Sequence, residues 1–337
     1  MKINKSFILN FAIIISVVGL MFFIMGNDFS SITKLLKTIK LSYVFLIVVL
    51  SLLYHVLVGI TLTRLARVTN PQYTYLKGIH NAFIAAFFHG ITPGSSGGQM
   101  AQAVIFKKQG INSGSAASIL WLEFVLHQAA LIIVGFVFLF TKFGVLQLLN
   151  STMRTLVILG FFANLLVLVF LFLIVQSPRF NKWFLFKGLY LLQQLHIIKS
   201  VEKNQQRVSD FVEQFDQAQE MFINNLDEVA KVTFVYVLKV SLFYFIPYLV
   251  IRSFGITFIT VSFIDIMALS AFLGMLKVFA PLPGGVGGTE VLFIILFSLV
   301  TNQIVATSTM ILWRFVSFYM IMLIGFIFYM TYKVKLR

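Results

Sequence analysis

Thr92-Pro93-Gly94-Ser95-Ser96-Gly97-Gly98-Gln99 and Leu282-Pro283-Gly284-Gly285-Val286-Gly287-Gly288-Thr289 share the pattern P-G-x-x-G-G and stand 190 residues apart. Each is the centre of an apolar stretch, 81–106 and 263–300. The limbs that follow, about nine residues at 98–106 and about twelve at 289–300, would reach only ~14 to 18 Å as helices, short of a ~30 Å hydrocarbon layer. Both stretches are therefore expected to dip into a bilayer and turn back. Irregular backbone at membrane depth leaves N–H and C=O groups that lipid cannot satisfy, so each turn must face protein or a wet cavity.

The rest of the chain agrees with a lipid solvent. Hydrophobic residues make up 59% of 337, charged ones only 11%, and mean hydropathy is +0.96. A water-soluble core could not hide that much apolar surface. Runs near 7–25, 43–62, 115–140, 154–175, 232–251 and 304–330 are each long enough to cross. The fold class expected is an all-α integral membrane protein with about six transmembrane helices and two re-entrant helical hairpins. Residues 1–25 read as a retained anchor, because no small-x-small cleavage site follows the apolar run.

The 190-residue offset also places Ser51-Leu52-Leu53-Tyr54 on Ser241-Leu242-Phe243-Tyr244, and Gly135-Phe136-Val137-Phe138 on Gly325-Phe326-Ile327-Phe328. Three matches in one register predict a duplicated unit of span, hairpin and span. Repeat 1 covers about 43–140, a linking span 154–175, a polar segment 176–231, and repeat 2 about 232–332. The linking span adds an odd crossing, so the repeats should be inverted, as in secondary transporters. Ten basic residues flank the inner ends (Lys2, Lys5, Arg64, Arg67, Lys77, Lys107, Lys108, Lys333, Lys335 and Arg337) against six outside. This favours a cell-membrane protein with both termini in the cytoplasm. In 176–231, Val208, Phe211, Val212, Phe215 and Met221 recur at helical spacing, which predicts an amphipathic helix at the interface.

Several function classes fall away. With no cysteine there is no disulfide, thiolate site or cysteine nucleophile. No Gly-Lys-Ser/Thr follows either glycine motif, no G-x-S-x-G occurs, and no His-Glu-x-x-His spacing marks a metal site. The net charge of +15 is scattered at span ends rather than gathered on one face, so anionic lipid is the expected counter-charge and no nucleic acid is expected to bind.

Candidate substrate-binding residues come first from the turns: Pro93, Gly94, Ser95, Gly97, Gly98 and Gln99, with Pro283, Gly284, Gly285, Gly287 and Gly288. Paired glycines let backbone approach a ligand, and the helix that begins after them points its positive end there, which suits a phosphate. The alternative is that these glycines only permit tight helix packing. Outside 176–231 the chain has four acids, Asp28, Glu123, Asp265 and Glu290. Glu290 and Arg314, with Glu123, are expected to form a polar cluster near the cavity, with Lys277 on the second hairpin. A salt bridge that only fixes that hairpin is the alternative. His80, His89 and His127 are candidates for proton relay or headgroup contact, and His55 and His196 are weaker ones.

At these residues the sequence resembles the transmembrane, flippase-like family of lysylphosphatidylglycerol synthases, of which the multiple peptide resistance factor is the best-known member. The resemblance lies in Thr92-Pro93 to Gly97-Gly98-Gln99 with Gln102, Lys108-Gln109-Gly110-Ile111, Glu123, Pro281 to Glu290, and Trp313-Arg314 with Tyr319. It implies translocation of aminoacylated phosphatidylglycerol or a related phospholipid between leaflets, and a place in antibiotic resistance. In bifunctional relatives a synthase domain follows, and its absence by Arg337 leaves no catalysis expected of this chain. No cofactor is implied. Expected partners are membrane phospholipid, a separate lipid-modifying enzyme and further copies of the chain. The alternatives are phosphatidylglycerol lysyltransferase activity, or a scaffold for such an enzyme.

Overall fold

In a computed structural model, residues 29–92, 97–175, 202–256, 261–279 and 287–335 are described. All regular structure among them is helical. In order the helices are α1 (Phe29–Lys37), α2 (Leu41–Thr69), α3 (Tyr75–Ile91), α4 (Gly97–Lys108), α5 (Ser113–Thr141), α6 (Phe143–Gln147), α7 (Ser151–Val175) and α8 (Glu202–Ile223). They continue with α9 (Leu226–Ser253), α10 (Phe263–Leu276), a short 3-10 turn (Lys277–Phe279), α11 (Gly288–Phe297), α12 (Gln303–Arg314) and α13 (Ile321–Lys335). A π-helical turn, Phe315–Met320, joins α12 to α13.

Five stretches are long and apolar enough to cross a membrane: Leu41–Thr69, Ser113–Thr141, Ser151–Leu173, Leu226–Ser253 and Gln303–Tyr332. They coincide with five of the six expected spans, and the sixth, 7–25, lies outside the described residues, as do 176–201 with His196. On α7 the side chains of Leu159, Phe162, Leu166, Phe170 and Leu173 are exposed. In lipid such a face costs nothing, because acyl chains are as apolar as leucine.

Several expectations are corrected, beginning with the second span, which runs on to Thr69 rather than 62. The fifth span starts at Leu226 rather than 232, because Asp227 and Glu228 suit the positive end of a helix and Glu228 pairs with Arg64 on α2. The final span is not one regular helix but α12, a π turn and α13. On α8 the buried stripe is Val212, Ala218, Gln219 and Phe222, whereas Met221 is exposed. That stripe packs on α5, where Gln219 Nε2 donates to Ser118 Oγ at 2.8 Å.

The glycine motifs each join two short helices that pack on each other. α3 and α4 are 17 and 12 residues long, and α10 and α11 are 14 and 10. The return limbs are thus Gly97–Lys108 and Gly288–Phe297 rather than 98–106 and 289–300. Asn81 Nδ2 donates to the Gln102 carbonyl at 3.4 Å while Gly98 lies against the His89 ring, so α3 and α4 run antiparallel. The Thr92 hydroxyl donates to Phe88 O at 2.6 Å and accepts from Gly97 N–H at 2.9 Å, which ties the end of α3 to the start of α4.

The 190-residue offset reappears in local geometry. Asn112 caps α5 by accepting from Ser115 N–H at 2.7 Å, and Asn302 caps α12 by accepting from Val305 N–H at 2.9 Å. Gly135 faces Met275 of α10, and Gly325 faces Phe83 and Phe87 of α3, so each glycine touches the helix that precedes the glycine motif in the other half of the chain. α2 and α9 pack antiparallel: Lys40 N–H donates to Ser253 O at 2.9 Å, the Tyr54 and Phe243 rings lie 5.3 Å apart, Thr61 Oγ1 is 3.3 Å from Tyr236 OH, and Arg64 meets Glu228. Replacing either cap asparagine by Ala is expected to cost about 1 kcal/mol, equal at the two sites within error, read as a drop in melting temperature.

Candidate functional site

A cavity of about 550 Å³ lies among α2, α3, α4, α5, α9 and the π turn. Its polar lining is Tyr54 and His55 from α2, His89 from α3, Gln99 and Gln102 from α4, Glu123 and His127 from α5, and Lys239 from α9. Small residues on α3, Ala82, Ala85 and Ala86, leave the space, and Phe318 closes one side.

The polar groups are held from behind. Glu123 Oε1 accepts from the Tyr236 hydroxyl at 2.9 Å. His55 Nδ1 donates to the Ser51 carbonyl at 3.0 Å, which leaves Nε2 for the cavity. Lys239 is 2% exposed, with its ammonium 3.9 Å from the Tyr236 ring centre and 5.2 Å from that of Tyr54. Among the described residues no carboxylate lies within ion-pair distance of it. A lysine at the centre of a span costs roughly 2.5–3.5 kcal/mol or more. Two tyrosine faces return about 0.5–2 kcal/mol each at best. The two rings and the polar lining of the cavity therefore share the cost of keeping this ammonium inside the bundle.

Several acceptors also lack partners. Gln102 is 3% exposed and Asn81 fully buried, and neither Gln102 Oε1 nor Asn81 Oδ1 has a hydrogen bond among the described residues. His127 Nδ1 is likewise without one. Buried polar atoms are nearly always satisfied, and of these three residues Gln102 and His127 line the cavity while Asn81 does not.

The second hairpin is built differently. Glu290 Oε2 accepts from Gly287 N–H at 2.7 Å, and Oε1 stands 2.7 Å from Arg314 Nε, with both side chains almost fully buried. That second contact lacks the alignment of a hydrogen bond, so it is chiefly coulombic. Gly287 has φ +89°, in the left-handed region where glycine is favoured. Under the 190-residue offset Trp313 takes the place of Glu123. Its indole, stacked with Phe293 at 5.0 Å and facing Lys277 at 5.8 Å, leaves a void of only about 10 Å³ there.

The predicted site residues are thus divided. Gln99 and Glu123 line the cavity, Glu290 and Arg314 form a separate buried pair, and Glu123 makes no ion pair with Arg314. Gly97 and Gly98 sit against Thr92 and His89, where a Cβ would collide, so both permit the hairpin's close packing. Gly288 opens α11. Pro93, Gly94, Ser95, Pro283, Gly284 and Gly285 lie outside the described residues. His80 lies away from the cavity, edge-on to Phe328.

Residues 7–325 match the family described as the lysylphosphatidylglycerol synthase TM region. The chain belongs to this family. It is similar to the UPF0104 membrane protein PH1989 of Pyrococcus horikoshii, 28% identical over 275 residues that cover 76% of this chain and 77% of that protein. With five described apolar helices of spanning length, this family member is a multi-pass membrane protein. Sequence reasoning misses Lys239, although a lone lysine inside the apolar run 232–251 is by itself a functional signal. It also misses Tyr54 and Tyr236, because a tyrosine in a span looks the same whether it faces lipid or a cavity.

Proposed function

We propose that this chain translocates a phospholipid between leaflets, sheltering the headgroup in the 550 Å³ cavity while the acyl chains stay in lipid. The observation that carries the reading is the polar lining of that cavity, with Lys239, Glu123, Gln99 and Gln102 among it, inside a bundle of spanning helices. In this reading the two units are inverted repeats, an arrangement supported by the antiparallel packing of α2 on α9 and by the matched caps. The hairpins enter the bilayer from opposite faces, the first from the cytoplasm, with both termini cytoplasmic in the cell membrane. The open space beside the first hairpin and the Trp313-filled space beside the second are what one-sided access would look like.

The test is reconstitution of the full chain into vesicles with headgroup-labelled phosphatidylglycerol and its lysyl ester. Movement of label between leaflets well above protein-free vesicles is expected. Label that stays in its original leaflet would sink the reading and favour a scaffold. Synthesis of lysyl-phosphatidylglycerol from lysyl-tRNA by membranes carrying this chain alone would instead make it the transferase.

A further inference from the structure

Lys239 lies midway along α9 with its ammonium beside the cavity, covered by the Tyr236 and Tyr54 rings and paired with no carboxylate among the described residues. Across the same cavity, Gln99 stands in the first turn of α4, a 12-residue helix, which brings that helix's positive end to the border of the same space. One of the free N–H groups of that turn, on Gly97, is taken by the Thr92 hydroxyl, and first-turn amides have no partner within their own helix. Two acceptors border the same volume, Gln102 with an unpartnered Oε1 and the Glu123 carboxylate.

We propose that Lys239 and the first turn of α4 form an oxyanion site for a phosphate ester, while Gln102 and Glu123 accept hydrogen bonds from hydroxyl or ammonium groups on the same molecule. This rests on the cavity being the headgroup chamber, and it assigns charge selection to a residue outside both glycine motifs. Glu123 lines the same cavity but is held by the Tyr236 hydroxyl and makes no ion pair with Lys239, so an arriving anion has no salt bridge to displace from the ammonium. The acceptors explain why a bare anion would leave part of the lining unsatisfied. Phosphate provides the charge and its substituent the donors.

The test uses the full chain in detergent and three probes: dihexanoyl-phosphatidylglycerol, glycerol 3-phosphate, and uncharged dihexanoylglycerol. Lys239→Met is expected to weaken the phosphodiester at least tenfold and leave the uncharged probe unchanged, and Lys239→Arg to stay within threefold of wild type. Binding of the uncharged probe shows that the variant's cavity is intact, and Lys239→Gln replaces the methionine variant if that one fails to fold. Glycerol 3-phosphate binding as tightly as the short lipid would support the site with a soluble phosphate ester as its source. An unchanged phosphodiester affinity in the neutral variant overturns the assignment, as does wild-type protein that binds neither phosphate compound. Lipid movement in vesicles without phosphate binding would sink Lys239 and spare translocation, and phosphate binding without movement would do the reverse.

Discussion

Replacing Arg314 by Ala is expected to destabilise the protein by about 3–5 kcal/mol, because it strands the Glu290 carboxylate in a site where that side chain is 2% exposed. The loss has two parts. Glu290 also caps the second hairpin's return limb through Gly287 N–H, and a carboxylate that swings away to find water loses this hydrogen bond as well. Changing both partners together, Glu290→Gln with Arg314→Gln, removes the stranded charge, while the amide oxygen introduced at position 290 can still accept from Gly287. The double variant should therefore recover at least half of the lost stability. Melting temperatures in lipid-detergent micelles decide it. A double variant no more stable than Arg314→Ala would mean that Arg314 contributes through something other than the pair, such as its place against Phe318 at 5.0 Å.

This pair shows where sequence reading reached and where it stopped. That Glu290 and Arg314 meet was legible, because a bilayer core punishes an unpaired charge and few partners were available. That Glu123 stands apart from them was not. Its neighbour in space is Tyr236, 113 residues away, and only the packing of α5 on α9 brings them together. Spans were legible for a similar reason, since length and apolarity are local properties, and the described spans begin and end within seven residues of the apolar runs. The π turn at Phe315–Met320 left no local mark, because no proline or glycine interrupts it. It lies where Phe318 and Ser317 reach the cavity and Arg314 reaches Glu290, so its cause is tertiary.

The asymmetry between the halves is also tertiary in effect though visible in sequence. Glu123 and Trp313 occupy equivalent positions 190 residues apart, one polar and small enough to leave a cavity, the other large enough to fill it. The two halves share their caps and several hairpin glycines but differ at many wall residues: Ala82, Ala85, Gln102 and Glu123 stand at the positions that Phe272, Met275, Leu292 and Trp313 take 190 residues on. The last difference matters because the wall faces the interior: the same replacement on the exposed face of α7 would alter only contact with lipid.

The Gly135 and Gly325 pair allows the largest contrast between equivalent positions. At Gly325 an added Cβ would strike the Phe83 carbonyl oxygen and stand 3.0 Å from Phe87 N and 3.1 Å from Phe87 Cβ, so the obstacle is mostly the backbone of α3. At Gly135 the nearest atoms are Cε of Met275 at 2.5 Å and its Sδ at 3.3 Å, the far end of a flexible side chain. Gly135→Ala should therefore be nearly neutral, with a rotated methionine offset by the roughly 1 kcal/mol that alanine gains over glycine inside a helix. Gly325→Ala should cost about 2–3 kcal/mol net and lower the melting temperature by ~5 °C or more, because α3 must move as a body. Ala82, Ala85 and Ala86 of that helix line the cavity, so the same shift should slow lipid movement in vesicles even at temperatures where the variant stays folded. Equal melting temperatures for the two alanine variants would mean that α3 is free to slide on α13, and the first hairpin could then not serve as a fixed wall of the chamber.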